Sequence, residues 1–272
     1  MPVISKITAA KKRKDRFHIY IKENNKDQYA FTVSENLLVQ EQLLKGKDIS
    51  EADISQLQEK DNLDKMMQKV LNFLSYRMRS ELEVLTYLKD HEVSDEQAGE
   101  IMDRLRELQF IDDRLFAEAF VRTKRDTGKK GPLIIQQELY QKGISQALID
   151  DVMTQYSTEL QLHHAIVMIE KKQSSYKNEG VKKKQQKLIQ FIIQRGYSHS
   201  IAVEALKEAE LKEDPEIEWR AVEKQGEKAW KKYEKKPEWE RDQRIKQFLF
   251  SRGFTTELID QWLQAKKEEN LT

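Results

Sequence analysis

From Phe17 to Val33 the apolar side chains fall on every second position. Phe17, Ile19 and Ile21 alternate with His18, Tyr20 and Lys22, and Tyr29, Phe31 and Val33 repeat the alternation after the polar stretch Asn24-Asn25-Lys26-Asp27. Period two puts successive side chains on opposite faces of an extended chain, so this pattern predicts a β-hairpin. Val3 to Ile7 can supply a third strand, which matters because two strands alone are marginal in water. Ser34 is placed to cap the first helix.

Beyond residue 34 the period becomes helical, and one pattern returns. Its clearest copies are Lys142-Gly143-Ile144-Ser145, Arg195-Gly196-Tyr197-Ser198 and Arg252-Gly253-Phe254-Thr255, spaced by 53 and 57 residues, with a degenerate copy at His91-Glu92-Val93-Ser94. Eight and four residues before the glycine position stand Val84 and Leu88, Ile135 and Leu139, Leu188 and Ile192, Ile245 and Leu249. Six and nine after it stand Ala98 and Ile101, Ile149 and Val152, Ala202 and Ala205, Ile259 and Trp262. Each set lies on one face of a helix, so the two faces can bury each other. Glycine closes the first helix in the left-handed conformation, the preceding cation suits the negative helix end, and Ser or Thr two residues later caps the next helix. Glu92 in place of glycine costs roughly 1 kcal/mol in a left-handed turn, so a different geometry is expected there. Lys45-Gly46 followed by Ile49-Ser50 looks like a fifth, partial copy.

Pro132, Pro215 and Pro237 fall at predicted helix starts, where a missing N–H costs little. A further amphipathic helix precedes each pair, for example Asp113 to Arg125 with Leu115, Phe116, Ala119 and Phe120 on one side. The reading is a mostly α protein: a hairpin or three-stranded region at 1–33, connecting helices at 34–65, and three-helix modules at 66–111, 112–158, 159–211 and 212–272. Modules of about 50 residues bury too little surface to be robust alone, so they are expected to stack into an elongated solenoid.

Composition supports this picture and narrows the chemistry. Nine glycines and four prolines against 35% charged residues favour long helices. With no cysteine, disulfides, thiolate metal sites and cysteine nucleophiles are excluded. The longest apolar run, Ala165 to Ile169, is far short of a membrane span, and the cations of Met1 to Arg16 precede no apolar h-region, so a cytoplasmic protein without a membrane partner is expected. The net charge of +1 gives no general affinity for polyanions. It is polarised, however: residues 66–111 carry 6 basic and 9 acidic side chains, and residues 159–211 carry 9 and 6.

No catalytic constellation emerges. Gly128-Lys129-Lys130-Gly131 is too short for a phosphate loop and lacks the magnesium-facing hydroxyl residue. Asp112-Asp113 can hold magnesium but more often such a pair opens a helix, and His163-His164 lack a third ligand at zinc spacing. No cofactor is expected. The basic clusters are candidate phosphate contacts: Arg122, Lys124, Arg125, Lys129 and Lys130, then Lys182, Lys183, Lys184 and Lys187, then Lys11, Lys12 and Arg13 with Lys14. Solvated helix ends or a solubilising turn account for the same residues. Of the tryptophans, Trp262 falls on the apolar column and reads as core, while Trp219, Trp230 and Trp239 stay open.

Three stretches resemble the RecX regulatory proteins of bacterial recombination. They are Tyr76-Arg77-Met78-Arg79-Ser80-Glu81-Leu82, Phe110 to Phe120 with its Ile111-Asp112-Asp113 start, and Gly131-Pro132 running through Glu138-Leu139 to Lys142-Gly143-Ile144. The similarity is strongest over residues 66–158 and continues more loosely to Arg252-Gly253-Phe254. The resemblance implies a non-enzymatic regulator, expected as a monomer, that lies in the groove of the RecA–single-stranded DNA filament. It implies modulation, usually inhibition, of the recombinase in DNA repair, recombination and the SOS response. The competing reading is a helical repeat protein that grips nucleic acid directly, without RecA; the near-neutral net charge argues against it.

Overall fold

A computed structural model describes residues 2–11, 15–23, 25–128, 130–211 and 215–269; Lys12, Arg13, Lys14 and Lys129 lie outside these. The chain forms two units, the first ending at Phe116 and the second beginning at Ala117. Strands β1 (Ile4–Ala9), β2 (Arg16–Glu23) and β3 (Lys26–Ser34) make an antiparallel sheet in that order. Ile7, Ile19 and Phe31 sit side by side across it, and Phe17 pairs with Val33. This is the apolar face of the alternation, and with Leu37, Leu43, Ile49 and Leu57 it forms the first core.

Ser34 accepts the Leu37 N–H and opens α1 (Glu35–Gln40). The Lys45-Gly46 stretch is not a helix-closing turn. No helix leads into it, and the segment runs along β1 instead, with Ile4 N–H donating to the Lys47 carbonyl and Gly46 N–H to the Ile4 carbonyl. Ser50 and Asp53 form a capping box that starts α2 (Glu51–Ser75). This helix runs unbroken through residues 65 and 66 and serves two cores. Its Asp61, buried in the first half, accepts from Arg16 Nη2 of β2 at 2.6 Å, from Lys65 at 2.8 Å and from the Ser34 N–H at 3.1 Å, locking sheet to helix. Its second half places Met66, Met67 and Val70 against α3 (Glu81–Asp90) and α4 (Asp95–Glu107), where Val84, Leu88, Ile101, Met102 and Leu105 are buried.

The turn between α3 and α4 corrects the expectation at Glu92. Its φ of 59° is left-handed, and the bonds Glu92 N–H to Lys89 carbonyl and Val93 N–H to Leu88 carbonyl repeat those of the glycine turns. The exposed Glu92 adopts the glycine geometry and carries its cost.

Helix α5 (Asp113–Asp126) leads into the second unit, which continues through α6 (Pro132–Gln141), α7 (Gln146–Met153), α8 (Thr158–Lys172), a 3-10 turn (Gln173–Tyr176), α9 (Val181–Gln194), α10 (His199–Glu208), α11 (Pro215–Tyr233), α12 (Glu238–Ser251) and α13 (Thr256–Glu269). The repeat columns are core: Val84, Leu88, Ile135, Leu139, Leu188, Ile192, Ile245 and Leu249 are all fully buried, as are Ile149, Ala202 and Ala205. Ser145 and Ser198 cap α7 and α10, and Thr255 accepts the Leu258 N–H at the start of α13. Trp262 is buried, with Trp230 edge-on at 6.4 Å and Trp219 packed on the same cluster, whereas Trp239 is exposed. Among the described residues no helix is long and apolar enough to cross a membrane.

Candidate functional site

The second unit contains one backbone joint twice. Gly131, just before α6, donates its N–H to the Arg195 carbonyl at 2.6 Å, and the Leu133 N–H reaches the Gly196 carbonyl at 3.0 Å. Gly180, just before α9, donates to the Arg252 carbonyl at 3.0 Å. In each case the start of one helix lies directly on the glycine turn of the following helix pair. A Cβ at Gly131 would stand 2.4 Å from the Gly196 carbonyl carbon, and one at Gly180 would stand 2.3 Å from that of Gly253. Gly196 and Gly253 have φ of 89° and 88°, so they need glycine for the turn and again for the neighbour lying on it. Beside the first joint the buried Tyr197 hydroxyl meets that of Tyr156 at 2.8 Å, and the latter also meets His164 Nδ1 at 2.9 Å. Burial pushes both tyrosines up and pushes His164 down, in each case favouring the neutral form. Phe254 fills the position of Tyr197 at the second joint, where it is fully buried.

Of the candidate cations, Lys130 and Lys182 to Lys184 flank the joints directly in sequence, whereas Arg122, Lys124 and Arg125 lie at the end of α5. Arg122 is exposed near the end of α5, and Lys124 lies 5.1 Å from the Phe120 ring centroid. Arg125 is more committed, pairing with Asp126 at 2.7 Å and donating to the Gln155 carbonyl at 3.1 Å. Lys130, next to Gly131, pairs with Glu138. At the second joint Lys182 is exposed, Lys183 and Lys184 are half-buried, and Lys183 supplies the backbone that meets Gly253. Lys187 pairs with Glu179 at 2.5 Å over the Tyr176 ring. Thus Lys130 and Lys187 are occupied by carboxylates, Arg122 and Lys182 are exposed, and Lys124 and Lys184 are half-buried. Lys11 is exposed after β1, away from both joints in sequence; Lys12, Arg13 and Lys129 fall outside the described residues.

Arg195 and Arg252 were legible only as helix-ending cations, yet their carbonyls accept the two joint bonds. Each also lays its guanidinium over an aromatic ring one turn back, Arg195 at 5.1 Å from Phe191 and Arg252 at 5.2 Å from Phe248. The recurring Phe four residues before the Arg is the sequence signal for this arrangement, which holds a guanidinium near a ring at each joint.

The other candidates have structural roles. Asp112 accepts the N–H groups of Arg114 and Leu115, and Asp113 accepts the Glu81 N–H at the start of α3, its carboxyl raised chiefly by burial. Glu81 in turn holds Arg106 through two bonds of 2.9 and 2.6 Å, which lower its own carboxyl. Among the described residues no group of three or more His, Cys, Asp or Glu side chains is arranged to hold a metal.

Comparison with known proteins agrees with this architecture. Models of the RecX N-terminal domain and of the first, second and third RecX three-helix domains match residues 2–50, 67–105, 112–153 and 216–263. A protein of Halalkalibacterium halodurans named regulatory protein RecX is 38% identical over 97% of this chain and 99% of its own length. One of Bacillus licheniformis with the same name is 39% identical over 98% and 100%. A crystal structure of regulatory protein RecX superposes with a TM-score of 0.67 at 36% identity, covering 76% of this chain and all of that one. RecX from Lactobacillus salivarius gives 0.52 at 31%, covering 54% and 96%. With the helix pairs, their glycine turns and the N-terminal sheet all in place, the chain belongs to the RecX family of regulatory proteins.

Proposed function

We propose that this protein is a non-enzymatic regulator that binds the RecA–single-stranded DNA filament and inhibits the recombinase, acting as a cytoplasmic monomer. The observation that carries the reading is the recurrence of one joint, with Lys130 near Arg195 at the first and Lys182 to Lys184 near Arg252 at the second. A polymer with regularly repeated phosphates and subunits is suited by a binder whose own contact groups repeat. The modules at 66–111, 112–158, 159–211 and 212–272 are then its contact units, each weak alone and strong together.

The test is affinity for RecA-coated single-stranded DNA beside affinity for bare DNA across a salt series. Tighter binding to the coated strand supports the proposal; equal binding with a steep salt slope supports direct, RecA-independent DNA binding instead. Replacing Arg122, Lys124, Lys182, Lys184 and Arg195 by Ala is expected to weaken filament binding about tenfold or more at low salt, with a smaller deficit at high salt. Unchanged binding at low salt would assign these cations to ordinary solvated surface.

A further inference from the structure

The N-terminal sheet has a second face that its core does not use. Cross-strand pairing aligns Thr8, His18 and Thr32 on it, with Lys6, Tyr20 and Tyr29 in the next row. A bulge between Ile19 and Tyr20 in the second ladder turns Tyr29 onto this face beside Tyr20. The rings form one cluster: Tyr29 stands edge-on to His18 at 5.8 Å and to Tyr20 at 6.0 Å, and Lys6 Nζ lies 5.8 Å from the Tyr20 ring. Thr32 Oγ1 ties the cluster down, meeting the Tyr29 hydroxyl at 2.8 Å and His18 Nδ1 at 2.7 Å. Tyr29 nonetheless remains 53% exposed.

This face borders an open depression of about 680 Å³, lined by Tyr20, His18, Thr32 and Lys11 among others, with no carboxylate among the described residues of its lining. The surrounding sequence is strongly basic although the whole chain is nearly neutral: residues 1–22 hold seven Lys and Arg and a single acidic residue, Asp15. A rigid aromatic row on a sheet, flanked by Lys6 and Lys11 and bearing one carboxylate among the described residues, Asp27, which sits opposite Lys22 in the row beyond Tyr29, is complementary to unpaired bases on a phosphate backbone. Paired bases are stacked on one another, so a duplex offers this face no free base to stack on its rings. We infer that the outer face of the N-terminal sheet is a binding platform for single-stranded DNA, with a base stacked on Tyr29 beside Tyr20 and with Lys6 and Lys11 on the flanking phosphates. The choice of DNA as the strand rests on the filament reading above; the stacking geometry does not. In that setting the platform would hold strand that the recombinase leaves uncovered.

The experiment uses the full chain, without RecA, and a labelled single-stranded 20-mer at low salt, with the duplex of the same sequence in parallel. Tyr29→Ala is expected to weaken single-strand binding roughly five- to a hundred-fold, the range of one lost base–aromatic stack. Tyr29→Phe, which keeps the ring, is expected to stay within about twofold of the parent, and duplex binding is expected to be the same in all three proteins. Circular dichroism checks that the sheet survives, and photo-crosslinking of the parent to a halogenated strand gives a second readout, expected at residues 16–34. Unchanged single-strand binding by Tyr29→Ala, equal loss on duplex, or crosslinks confined to the second unit would each overturn the platform. The filament reading fails separately, if RecA-coated strand binds no more tightly than bare strand.

Discussion

Two kinds of helix-closing turn in this molecule share one backbone geometry and differ in what lies on them. At Glu92 the chain is left-handed at φ 59°, and the Val93 N–H closes onto Leu88 just as Tyr197 closes onto Ile192 and Phe254 onto Leu249. The Glu92 side chain is exposed, whereas Gly196 carries Ile134 and Gly253 carries Lys183 against the α-carbon itself. Left-handed backbone alone disfavours a side chain by roughly 1 kcal/mol, and a protein tolerates that. Backbone laid on backbone forbids one. Gly196 and Gly253 therefore belong to the stacking of the helix pairs as much as to the turns they close.

The comparison breaks most directly at the joints. Gly196→Val or Gly253→Val combines a strained φ with displacement of the neighbouring helix start, so a loss of about 3 kcal/mol or more is expected in denaturant unfolding. Loss of only about 1 kcal/mol would mean that the turn alone matters and that the joint relaxes freely. Glu92→Gly is the reverse test and is expected to gain at most about 1 kcal/mol, since relief of the left-handed strain is offset by the greater freedom of glycine in the unfolded chain. A destabilised Glu92→Gly protein would show that this side chain has a role the geometry does not display.

The smallest expected effect concerns pH, and it too separates the regions, because the first joint packs beside His164. Its folded pKa is lowered, mainly by burial, from an ordinary 6.5. The unfolded chain thus binds the proton more readily, and the stability contributed is fully present above about pH 6.5 and is lost as pH falls through the lowered folded value. His164→Gln is expected to flatten this part of the stability profile of the second unit. A parent and variant with parallel profiles from pH 7.5 to 5 would remove His164 from the account.

How much of this was legible in the sequence depended on the range of the interaction. The alternation of residues 17–33 and the apolar columns eight and four before each turn encode which face is buried, and a local period is enough to read that except at Tyr29, which the bulge at Ile19/Tyr20 turns onto the outer face. Ser34, Ser145 and Ser198 were readable for the same reason, since a cap and its helix are adjacent in the chain. The contacts of Gly131 with Gly196 and of Gly180 with Gly253 join segments far apart in sequence through backbone alone, and no side-chain pattern reports them. Glu92 misled because residue preference was allowed to decide a geometry that the surrounding helices and their core impose. The basic clusters were easy to find but not to sort. Only the structure separates Lys130 and Lys187, held by Glu138 and Glu179, from the exposed Arg122 and Lys182.

The central proposal is that this chain acts on a recombinase filament, beyond any hold it has on bare DNA. The most direct measurement is ATP hydrolysis by RecA on single-stranded DNA as the full-length protein is added. Hydrolysis is expected to fall in a saturable way, and the variant lacking Arg122, Lys124, Lys182, Lys184 and Arg195 is expected to need a higher concentration for the same effect. A rate unaffected by the parent protein at concentrations that saturate bare single-stranded DNA would contradict the account.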